Sequence, residues 1–137
     1  MGRQKVKITA DTNLLVRAVT EDHAEQSKAA QAALRKADVI AISIPALCEL
    51  VWVLSRGYKI RAPDIAATVR GLIDGVNVVA NRPVVEAGLA MLDAGGDFAD
   101  GAIAYEGNWL GADTFTSLDK NAVELLKAQG KSARLLS

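Results

Sequence analysis

The sequence predicts an α/β fold built on a mostly parallel sheet of about five strands. Short apolar runs alternate with longer helical patterns along the whole chain, as strand–helix–strand units require. No repeat, low-complexity tract or Pro/Gly/Ser linker interrupts them, and 137 residues suit one domain, so residues 1–137 are expected to form a single domain. Half of the residues are hydrophobic, enough for a substantial core.

The first strand is expected over residues 5–10, where Val6 and Ile8 alternate with Lys5 and Lys7. A helix follows from Thr12 and another over 22–36. The second strand covers 39–43. Pro45 then occupies the place of a first helical residue. The helix over 45–55 carries Leu47, Leu50, Val51 and Leu54 at i, i+3, i+4, i+7, and Gly57 ends it. A helix over 63–74 leads to the third strand at 76–80. Pro83 opens a helix that ends near Gly95-Gly96. Residues 98–110 read as a helix, 114–117 as the fourth strand, and 121–129 as a helix closed by Gly130. A last strand covers 133–136.

Composition excludes several function classes. The 16 basic and 16 acidic residues cancel, which does not suit a protein that coats nucleic acid by charge alone. A single cysteine, Cys48, rules out an internal disulfide and a cysteine zinc site, and suits a reducing cytoplasm. Cys48 itself reads as a small buried hydrophobe. The start, Met1-Gly2-Arg3-Gln4-Lys5, is polar, and no apolar run approaches about 18 residues, so neither a signal peptide nor a membrane span is expected. The lone histidine, His23, reads as a solvated loop residue and leaves no histidine pair for catalysis.

In parallel α/β sheets, ligands bind beyond the carboxyl ends of the strands. The polar residues expected there are acidic. Asp11 follows strand one, with Asn13 beside it; an Asp there also makes a good helix N-cap. Glu49 falls in the first turn of a helix that is apolar nearly all round, so it reads either as a buried site carboxylate or as an acid favoured at a helix start. Asp97 falls where an N-cap is wanted after Gly95-Gly96. Asp100 occupies the third helical position among Ala99, Gly101 and Ala104, small neighbours that let a backbone or ligand approach. It is the stronger site candidate, with Asp97 as cap and support behind it. Asp119 follows strand four, where Thr116 and Ser117 add hydroxyls. Packing gains nothing by collecting carboxylates. A hard divalent cation, Mg²⁺ or Mn²⁺, explains such a set, because it prefers oxygen ligands and can polarise a phosphoryl oxygen.

These four stretches look familiar together. Asp11-Thr12-Asn13-Leu14-Leu15 resembles the opening motif of PIN domains. Pro45 through Leu54 resembles their second motif, Asp97-Phe98-Ala99-Asp100-Gly101-Ala102-Ile103-Ala104 the third, and Thr116-Ser117-Leu118-Asp119-Lys120-Asn121-Ala122 the fourth. Order, spacing and size agree over nearly the whole chain, and the closest subgroup in style is the VapC toxins of bacterial toxin–antitoxin pairs. The fourth motif often has an aromatic residue where this chain has Leu118. The resemblance implies a three-layer α/β/α arrangement and Asp11, Glu49, Asp100 and Asp119 as metal-site acids, supported by Asn13, Thr116 and Asp97. It also implies endonucleolytic cleavage of RNA, often transfer or ribosomal RNA, and neutralisation by a small VapB-type antitoxin. Homodimerisation is expected from the same likeness and from the apolar surplus of so short a chain.

Outside the acids, Arg56, Lys59 and Arg61 cluster with Tyr58 after the Glu49 helix. They read equally as a phosphate-contacting rim and as a solvated helix end. Trp52 reads as a core residue or as an interface aromatic, the core being the stronger reading, and Tyr105 and Trp109 read as packing residues. Three other functions compete. A receiver-type signalling domain expects paired acids after strand one, where only Asp11 stands. A haloacid-dehalogenase-type phosphatase needs an Asp at position 13, which is Asn13. A catalytically dead PIN-type module that binds RNA or protein would not need the intact set of acids.

Overall fold

The computed structural model describes residues 4–137. Its chain divides into two compact units, one running to Asn81 and the other Arg82–Ser137. Ile8 is flanked by exposed Lys7 and Thr9 in β1 (Lys7–Thr9), the alternation of a strand with one covered face. Parallel pairing sets Ile8 beside Ile40 of β2 (Val39–Ala41), and Ile40 beside Val78 of β3 (Val78–Val79), giving the order β1-β2-β3. Parallel neighbours need crossovers, supplied here by α1 (Thr12–Val19) and α2 (Ala24–Lys36), then by α3 (Ile44–Trp52) and α4 (Ala62–Ile73). Leu47, Leu50, Val51 and Leu54 are all buried, as their spacing predicts.

The strands are shorter than expected, and β3 shows why. The Asn77 side chain donates to the carbonyls of Leu34 and Ala37 at 3.0 and 2.9 Å, so it satisfies the end of α2. A turn bonds the Val78 N–H to the Gly75 carbonyl, and only two residues remain for the ladder. Helix starts also shift. His23 is exposed in the connection before α2, as expected, and its ring also caps that helix by accepting from the Gln26 N–H at 3.3 Å. Ser43 caps α3 at 3.3 Å, and the helix opens at Ile44, one residue before Pro45. After Trp52 the helix widens into a π turn over Val53–Gly57, where the Tyr58 N–H reaches back to the Val53 carbonyl.

In the second unit, α5 (Arg82–Asp93) and α6 (Phe98–Trp109) pack closely because glycine permits it. A Cβ on Gly101 would land on the Ala87 carbonyl oxygen, and one on Gly88 would enter the Phe98 ring. The small residue beside Asp100 is therefore filled by backbone. β4 (Phe115–Ser117) pairs in parallel with β5 (Ala133–Leu135), joined by α7 (Lys120–Ala128). Met91, Ala122 and Leu126 form the buried cluster under this ribbon. Gly130, at φ +80°, closes α7 as expected. Both units are thus α/β with parallel strands, three in one and two in the other, among the described residues.

Candidate metal and RNA site

Asp11 caps α1. Its Oδ1 accepts from the Leu14 N–H at 2.9 Å, and the residue is exposed just beyond the carboxyl end of β1. Asn13, the second residue of α1, is exposed as well. Glu49 departs from expectation. It is exposed rather than buried, and it sits in the second turn of α3, not the first. The helix is apolar on one face only. Pro45, Glu49, Trp52 and Arg56, spaced by four, three and four, form the exposed face opposite the buried leucines. Trp52 is 61% exposed, so it is no core residue. Trp109 is 79% exposed and also lies outside the packing. Cys48 is half-buried.

In the second unit two acids act on a third. Asp100 is half-buried at the third position of α6. Desolvation, then the negative charges of Asp97 and Asp119, hold its carboxyl above the usual carboxylate range. Asp97 occupies the N-cap position, yet its side chain makes no capping bond, so it supplies charge to this cluster instead of closing the helix. Asp119 does cap α7, accepting from the Ala122 N–H at 3.2 Å. The hydroxyl that braces its turn belongs to Ser117, whose Oγ accepts from the Asp119 N–H at 2.9 Å. Thr116 donates at 3.5 Å to the carbonyl of Thr114, the residue just before its strand. Replacing Asp97 by Asn should therefore lower the Asp100 pKa toward 3.8, read by NMR titration of the carboxyl; an unchanged value would mean that Asp97 exerts no field there.

The basic segment has an anchor that sequence reasoning missed. The Tyr58 hydroxyl donates to Asp22 at 2.7 Å, a bond between residues 36 apart. Asp22 also accepts from Thr20 at 3.0 Å and from Arg17 at 3.2 Å. The Tyr58 bond foremost, then Thr20 and Arg17, holds the Asp22 carboxyl below its usual range. The contribution of these contacts is present above pH 3.8 and is lost as pH falls through the lowered value. Between Tyr58 and Arg61, Lys59 takes a left-handed backbone, φ +57°, and Arg56, Lys59 and Arg61 all stay exposed.

The PIN domain family profile matches residues 8–124. The chain belongs to the PIN domain family. That match covers all four acidic stretches and crosses both units. No curated protein matches the chain. PIN domains are generally nucleases and typically bind divalent metal ions. The acids of this PIN domain fit such an ion in chemistry: all donors are oxygens, and the like charges around Asp100 are relieved by a cation. Among the described residues, no group of three or more His, Cys, Asp or Glu side chains is placed to hold a metal ion. No helix of the described residues is long and apolar enough to cross a membrane.

Proposed function

We propose that this PIN domain is a Mg²⁺- or Mn²⁺-dependent endoribonuclease toxin of the VapC type, acting in the cytoplasm. In this reading residues 1–137 are one PIN domain that works as a homodimer, cuts transfer or ribosomal RNA, and is neutralised by a VapB-type antitoxin. The observation that carries it is the PIN family match over residues 8–124, with the half-buried Asp100 at the third position of α6, where burial and then the charges of Asp97 and Asp119 disfavour its ionised form. Asp100, Asp119, Asp11 and Glu49 would hold the ion, with Asn13, Thr116 and Asp97 supporting. When bound, it supplies charge to polarise a phosphoryl oxygen and activate a water.

The chain's own residues do the rest. Without a cation, the carboxylates repel a phosphodiester. Arg56, Lys59 and Arg61 offset that repulsion by meeting neighbouring phosphates, and the Tyr58–Asp22 bond holds the segment that carries them. Asp11 and Asp119 are kept in place by the helix ends they cap. Purified protein free of antitoxin should cut RNA with Mg²⁺ or Mn²⁺ and stop on addition of a chelator. Undiminished cutting in excess chelator would refute metal dependence.

A further inference from the structure

The exposed face of α3 carries an indole that the core does not use. Trp52 stands three residues from Glu49 on α3, a spacing that makes the two neighbours on the helix, about 5–6 Å apart at Cβ, and exposed Arg56 follows it in the π turn. Its neighbours Leu50, Val51 and Leu54 are buried, so the core beneath is already filled without it. The π turn begins directly after Trp52, an irregularity that recurs at functional sites. We infer that the Trp52 indole is a stacking platform for an unpaired nucleobase of single-stranded RNA, beside the acid at Glu49 and the cation at Arg56. The inference rests on the ribonuclease reading for its substrate.

Charge alone does not hold this occupant. The chain is neutral overall, so phosphate attraction alone gives it little hold on RNA. Base–aromatic stacking is tolerant of sequence and needs a base with a free face, which a duplex does not offer. Arg56, next along the chain, can meet the phosphate of the stacked nucleotide, while Glu49 lies one turn earlier on α3.

The test uses the full chain. Trp52→Ala should raise KM for oligo(U) by about 5- to 100-fold, the size of one base–aromatic stack. Its kcat should stay within a few-fold, and its melting temperature near wild type, since the side chain is exposed. Trp52→Phe should recover most of the loss, and cleavage of an oligo(A)·oligo(U) duplex should change little. In a Trp109→Phe, Asp100→Asn chain Trp52 is the sole indole, and oligo(U) should quench its fluorescence. An unchanged KM, or an equal loss on single strand and duplex, overturns the inference, as does quenching by neither RNA, the result expected of a protein-docking face. The two readings fail separately. Brisk cleavage indifferent to Trp52→Ala removes the platform and leaves the nuclease. Quenching by oligo(U) in that variant, when the chain with Asp100 intact cleaves nothing with Mg²⁺, does the reverse.

Discussion

Replacing Asp100 by Asn should cut RNA cleavage by about 100-fold or more and, in the same protein, make the metal-free fold more stable. The activity loss follows from position. Residues behind a metal ligand cost about 10- to 100-fold when changed, so a ligand itself should cost more. The stability gain follows from charge. The folded-state pKa of Asp100 is raised, so the cost of ionising it is absent below pH 3.8 and complete once the pH passes the raised value. At neutral pH the wild type carries that cost and Asn does not. Water screens a half-buried group, which keeps the gain small. Mn²⁺ should reverse the order, because a ligand that binds only the folded state stabilises it by about 2.7 kcal/mol at 100 times its dissociation constant. The Asn variant should gain much less. Thermal melts of both proteins, with and without Mn²⁺, decide it, and equal melting temperatures in all four would refute the clustered-acid site. Asp97→Asn should keep far more activity than Asp100→Asn, since Asp97 acts on its neighbour through charge. If it is the more damaging change, the roles of the two acids are exchanged.

Gly101→Ala should destabilise the protein by about 1–3 kcal/mol, the usual cost of overpacking, or prevent folding altogether. The added carbon meets a backbone carbonyl of α5 and, at 2.8 Å, the Met91 side chain. The carbonyl cannot move without displacing the helix. Gly107 is the internal control. It lies on the same helix, and a Cβ there meets nothing within 4 Å. Gly107→Ala should stabilise by about 0.5–1 kcal/mol, because alanine is the better helix former. Urea or thermal unfolding of the pair reads both signs. If the two variants behave alike, the close approach of α5 and α6 is not what Gly101 serves.

Much of this was legible in the sequence. Element order, the buried stripe of α3, the capping acids and the third-position placement of Asp100 follow from periodicity and local chemistry, which act over a few residues. The misreadings have a common origin. The buried readings of Glu49 and Trp52 come from the apolar residues on either side of each along the chain, whereas the spacing 45, 49, 52, 56 sets both on one exposed face. Asp97 holds the cap position, but an N-cap pattern does not say whether the carboxyl turns inward to the backbone. The shortened β3 depends on Asn77 binding α2 some 40 residues earlier, and the Tyr58–Asp22 bond spans a similar distance. No local pattern encodes either.

The capping acids carry one consequence for descent. Asp11 and Asp119 each commit an oxygen to a helix end, and an N-cap lost to alanine costs about 1 kcal/mol. A lineage that abandoned catalysis would still be selected to keep a capping residue at both positions. Glu49, Asp97 and Asp100 make no such bond, and ionised Asp100 costs the fold stability. Folding alone would let them drift, and would favour the drift of Asp100. Among relatives of this chain, decay of a nuclease should therefore register first at Glu49, Asp97 and Asp100, while Asp11 and Asp119 persist as relics of the fold.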